Sequence, residues 1–114
     1  MSSQSEVMHC YERIAALAAQ MLSLTRNCQW GELPAHEAIY SGMVDRLKEI
    51  EPLESLHEEQ VARKYFLLSR IASQQAEISS LVMPQLRHLG EVLRNLEQQE
   101  SLQKAYGQHS DIRL

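Results

Sequence analysis

The chain has 114 residues, a formal net charge of −4, 44% hydrophobic residues and only 5% aromatic ones. That length fits one domain, and its 11 Lys and Arg residues are scattered rather than gathered on the single face that a nucleic-acid binder needs. With 4 Gly and 3 Pro it lacks turn signals for many short strands, and no apolar run approaches the ~20 residues that cross a membrane.

A core for such a chain must come from Leu, Ile, Ala and Met, the filling of helix bundles. The expected fold is all-α: an antiparallel bundle of three main helices, the third long and kinked at Pro84, plus a short C-terminal helix. The segment from Met1 to Glu6 is polar, unlike a signal peptide, so the expected compartment is the cytosol.

Ser3 and Glu6 have the spacing of a capping box and open the first helix. Val7, Met8, Tyr11, Ile14, Leu17, Ala18, Met21, Leu22 and Leu24 follow. At helical spacing they span an arc of about 200°, twice the stripe of about 100° that an ordinary surface helix buries. The helix therefore calls for two packing partners, one from its own chain and one available from a second copy. Cys10 and Cys28 are both assigned to this segment, about 27 Å apart along a helix, too far for a disulfide. They are read as buried small hydrophobes.

Arg26 to Gly31 reads as a turn with Trp30 as an anchor, and Pro34 suits the first turn of a second helix. Ile39, Tyr40, Met43, Leu47 and Ile50 recur there at helical spacing until Pro52 ends it. Ser55 and Glu58 form a second capping-box pattern. The third helix then carries Val61, Tyr65, Leu68, Ile71 and Ala72, followed by Ile78, Val82, Leu86, Leu89, Leu93 and Leu96. It runs about 40 residues, near 60 Å if unbroken, longer than a small bundle can cover. Pro84 removes one backbone hydrogen bond from it, so a kink near Ser80 is expected, with a full break as the alternative. The apolar row resumes in phase at Leu86 and Leu89, which favours the kink. Between Ser69 and Ser80, Ser73, Gln74, Gln75 and Ser79 leave only a narrow apolar stripe. The last segment, Ser101 to Leu114, offers Leu102, Ala105, Tyr106 and Ile112, and Gly107 weakens it as a helix.

Candidate chemistry is sparse. Glu54 and His57 have the Glu-x-x-His spacing of di-iron bundles, but one copy stands where two are needed. His9, His36, His88 and His109 show no ligand spacing. No Gly-rich phosphate loop, nucleophile elbow or paired-Cys zinc spacing occurs. The expectation is a protein with no catalytic residues, no metal and no cofactor, which acts through helix faces.

The stretch Arg26 to Tyr40, with Trp30, Leu33, Glu37 and Tyr40, resembles the loop and second helix of the flagellar export chaperone family FliT. Ser101-Leu102-Gln103-Lys104-Ala105-Tyr106-Gly107 resembles that family's C-terminal Ser-Leu-x-x-Ala-Tyr-Gly segment. Length, helix order and acidic balance extend the resemblance over nearly the whole chain. Pro84 and Gln85 depart from the pattern, which has a continuous helix and an Arg before the Leu86 and Leu89 pair.

The resemblance implies a cytosolic escort of the filament-cap protein. Such an escort binds the C-terminal helical region of that protein, prevents early assembly and delivers it to the export ATPase complex and export gate. It also implies binding of the flagellar master transcription activator as a repressor, with no direct contact to nucleic acid or membrane. A homodimer is implied, with Tyr11, Ile14, Leu17, Met21 and Leu24 as its seam within dimerisation helices 1–50. Residues 55–97 become the partner-binding helix, through Leu68, Ile71, Ile78, Leu81, Val82, Leu86 and Leu89. Residues 98–114 become an autoinhibitory lid carrying Leu102, Tyr106 and Ile112, with completion of the core as the other reading of Leu102 and Tyr106. A structural coiled-coil or adaptor protein of another secretion system fits the same periodicity.

Overall fold

The computed structural model describes the backbone of residues 5–113 and the side chains of residues 5–106. Within them lie three α-helices, α1 (Glu6–Arg26), α2 (Leu33–Ile50) and α3 (Glu58–Arg113), joined by 3-10 turns at Trp30–Glu32 and Glu51–Leu53. The structure divides into two compact units, Met1–Leu81 and Val82–Leu114.

Ser3, the expected cap of the first helix, lies outside the described residues. The side chain that caps α1 is Ser5, whose Oγ accepts from the Met8 N–H at 3.0 Å. Glu6 is not its reciprocal partner, because that carboxylate pairs with Arg46 at 2.6 Å. The acid at this helix end is Glu54, which accepts from the Ser5 hydroxyl and, at 3.3 Å, from the Val7 N–H. A carboxylate held there also complements the positive end of the helix dipole.

At its other end α1 finishes in a Schellman arrangement. The Cys28 N–H donates to Thr25 O at 3.1 Å and the Gln29 N–H donates to Leu24 O at 2.8 Å. Cys28 takes the left-handed position, φ 58°, where glycine is usual. It is therefore past the helix and exposed, contrary to the expectation of a buried helical cysteine, whereas Cys10 is buried.

The second cap is also displaced. Ser55 does not open α3. Glu54 is extended, φ −125° and ψ 136°, as it reaches back to α1. The chain therefore enters the helix only at Glu58, with Gln60 Oε1 accepting from the His57 N–H at 2.8 Å.

Val7, Cys10, Tyr11 and Ile14 of α1 form one core cluster with Leu47 and Ile50 of α2 and Leu67 and Ile71 of α3. Leu67 is 2% exposed. Burying a leucine of that kind contributes about 1.5–3 kcal/mol. The broad apolar arc of α1 thus finds both of its packing partners inside one chain. The Glu6–Arg46 pair and the Cys10 Sγ contact to Met43 O run in opposite chain sense along α1 and α2. Glu12–Arg63 and Arg26–Glu77 run in the same sense along α1 and α3.

The polar stretch of α3 buries only Ile71 and Ile78 between Ser69 and Ser80. There Gln74 Oε1 and Gln75 Nε2 are buried without a hydrogen-bond partner. α3 passes through Pro84 without a break, so the two-helix alternative is excluded. The carbonyl that proline leaves without its helical partner belongs to Ser80, an exposed residue. No separate C-terminal helix forms, because the expected fourth element continues α3 to Arg113.

Candidate functional site: exposed apolar residues of the third helix

From Leu86 to Tyr106 no described residue is buried. Leu86 is 54% exposed and Leu89 52%, with Leu93 and Leu96 alike. These four leucines follow a 3-4-3 spacing, so they share one stripe of the helix, the pattern of a helix seam that meets another helix. Val82, half-buried, precedes them in the same register. Gln85, Val92 and Gly90 flank the stripe, while the charges of Arg87, Glu91 and Arg94 fall away from it. Such a surface exposes apolar area, bordered at its C-terminal end by Glu97 and Glu100.

In the unit Met1–Leu81, Ile71 and Ile78 belong to the interior and are not available to a partner, whereas Leu68 and Leu81 are exposed. A sequence period finds a face but not which part of it the chain's own helices cover. The expected dimer-seam residues lie mostly in the interior of the single chain. Tyr11, Ile14, Leu17 and Met21 are buried and Leu24 is half-buried. Leu102 and Tyr106 are exposed and lie within α3. The side chain of Ile112 lies outside the described residues.

A polar junction fixes the core beneath α3. The Tyr11 hydroxyl donates to Glu51 Oε2 at 2.7 Å, and Lys64 Nζ lies 2.6 Å from the same oxygen. The Lys64 ammonium also sits 5.6 Å from the centre of the Tyr11 ring. Burial and the Glu51 carboxylate push the Tyr11 pKa up to about 12. Burial opposes ionisation of Glu51, but Lys64 and Tyr11 outweigh it and hold its pKa below the usual glutamate value. Lys64 is held protonated, its pKa raised by its bond to Glu51.

Glu54 and His57 do not form a ligand pair, since the Glu54 carboxylate is committed to the α1 N-terminus. Among the described residues no cluster of His, Cys, Asp and Glu is placed to hold a metal ion. No described helix is long and apolar enough to cross a membrane.

Three helices packed in the described residues, with apolar residues exposed in register on the longest, define an all-helical class of protein. The family model described as Flagellar protein FliT matches residues 8–108, and the chain belongs to that family. It is 30% identical over 110 residues to the flagellar protein FliT of Photorhabdus laumondii, covering 95% of this chain and 86% of that protein. It is also similar to the crystal structure of flagellar protein FliT from Bordetella bronchiseptica. There the TM-score is 0.70 at 34% identity, over 77% of this chain and 99% of the other.

Proposed function

We propose that the chain is a flagellar export chaperone that binds the C-terminal helical region of the filament-cap protein in the cytosol. In this role it keeps the cap protein from assembling early and delivers it to the export apparatus through the export ATPase complex and export gate. The observation that carries the reading is the row Leu86, Leu89, Leu93 and Leu96, exposed in register on α3. Membership of the FliT family supports the flagellar context. An amphipathic helix laid along that row would bury apolar surface on both sides, the usual basis of helix recognition.

Repression of flagellar genes through the master transcription activator belongs to the same proposal, as a second helical partner for the same row. A homodimer would have to use surface other than Tyr11, Ile14, Leu17 and Met21, which their own chain covers. A lid formed by Leu102 and Tyr106 would require α3 to melt between Leu96 and Ser101 before the segment could fold back.

Calorimetric titration of the purified chain with a C-terminal fragment of the filament-cap protein tests the proposal. Saturable binding that is lost in Leu89→Glu or Leu93→Glu supports it. No heat of binding to the fragment overturns it.

A further inference from the structure

The α1–α3 face is laddered by charge pairs. Arg63 bonds both carboxylate oxygens of Glu12, at 2.8 and 3.0 Å, and Arg26 pairs with Glu77. The two helices run in the same sense there, and a helix repeats its face about every seven residues. Ala19 follows Glu12 by seven and precedes Arg26 by seven; Arg70 stands midway between Arg63 and Glu77 in the same manner. The middle rung of the ladder therefore sets Arg70 against an alanine, where each neighbouring rung sets an arginine against a glutamate. Arg70 has no ion pair among the described residues.

Phe66, 50% exposed, stands beside that rung. The Arg63 guanidinium lies 5.2 Å from its ring centre and the Arg70 guanidinium 5.9 Å. An exposed aromatic ring held between two arginines is the residue chemistry of an interface anchor. Ala19 on the facing rung and Ser73, one helical heptad after Phe66, are small and exposed, so no large side chain is contributed at these positions. Toward the start of the helices the surface opens into a shallow cleft of about 440 Å³ bounded by Met8, Glu12, Glu59 and Arg63. With Arg63 and Arg26 already paired, Arg70 alone is too little positive charge for a phosphate backbone, and the net charge of −4 opposes one, whereas a single carboxylate matches it.

We infer that the α1–α3 face centred on Phe66 and Arg70 is a second docking surface, taking a helical protein segment whose carboxylate fills the rung that Ala19 leaves without an acid. The charge left over on Arg70 selects the carboxylate, and Phe66 supplies the apolar contact beside it. This inference rests on the chaperone reading for its partner but uses residues distinct from the leucine row.

Calorimetry of full-length variants against the filament-cap C-terminal fragment tests it. Phe66→Ala and Arg70→Ala should each weaken binding about tenfold or more, with unchanged helical content because both side chains are exposed. Ala19→Glu closes the rung within the chain. It should raise the unfolding temperature and weaken binding of the fragment to a similar degree. A wild-type chain that binds while all three variants bind equally well overturns the docking surface and leaves the chaperone function standing. Loss of affinity in Phe66→Ala alone overturns the carboxylate contact. A wild-type chain that does not bind the fragment removes both readings.

Discussion

Tyr11 and Glu51 are joined by a hydrogen bond of 2.7 Å that ties the first helix to the turn following the second. Lys64 of α3 meets the same carboxylate oxygen, so all three helical segments converge on one acid at the edge of the core. Glu51→Gln keeps the shape but removes the charge. It should destabilise the chain by about 1–2 kcal/mol at neutral pH, the scale of a hydrogen bond to a charged group. The folded-state pKa of Glu51 lies below 4.5. Its contribution is therefore present above the unfolded value and is lost as pH falls through the folded one. Urea unfolding of wild type and variant should show a gap at pH 7 that closes in acid, below the ordinary glutamate value, as the carboxylate protonates. A gap that persists there would contradict the assignment.

The sign is reversed for Tyr11, whose pKa is pushed up to about 12 from 10. Its contribution to stability is full below the unfolded value and is lost as pH rises through the folded one. Burial also raises Tyr40, so tyrosinate absorbance of the folded chain should rise late, and Tyr11→Phe should remove the part that appears near pH 12.

Cys28 occupies a left-handed position at a helix end. A residue with a Cβ is strained there by about 1–2 kcal/mol, part of which glycine gives back in the unfolded state. Cys28→Gly should stabilise the chain by about 0.5–1 kcal/mol, and a β-branched Cys28→Val should destabilise it by more. Thermal unfolding under reducing conditions checks both.

Leu67 and Leu96 have the same side chain but opposite surroundings, 2% against 54% exposed. Leu67→Ala should cost about 2–5 kcal/mol, as buried leucines do. Leu96→Ala should stay within about 0.5 kcal/mol. Chemical denaturation separates the two, and equal costs would contradict the burial pattern.

Ending the chain after Leu96 removes Leu102 and Tyr106, both exposed. Thermal stability should hardly change. Affinity for the cap-protein fragment should rise if the removed segment competes for the leucine row, and unchanged affinity would end the lid proposal.

The helices were legible because their signals are local. Periodicity gave the apolar faces of α1, α2 and α3, and Pro34 marked the start of α2. The caps were less legible because they depend on distant partners. Glu54 lies 49 residues from Ser5, so nothing near Ser3 or Ser5 reveals which serine is held. The extended Glu54 also moved the start of α3 past Ser55, and Gln60, three residues beyond His57, was the local signal that marked it. The leucine row was visible as a row, but Ile71 and Ile78 joined it because a period cannot say where bundle cover stops. The ladder of α1 and α3 needed the observed pairs Glu12–Arg63 and Arg26–Glu77 before Arg70 could stand out.

The run from Leu86 to Tyr106 keeps its helix without burying a side chain. Its amide protons are guarded only by bonds one turn long, and an isolated helix of this kind opens far more readily than one held in a core. Hydrogen exchange should therefore be fast along this run while the amides around Leu67 and Ile71 remain slow. A protease would find its first sites in the same place. Occupancy by a ligand would be read as protection of this stretch, so the helix reports directly whether its leucines are covered.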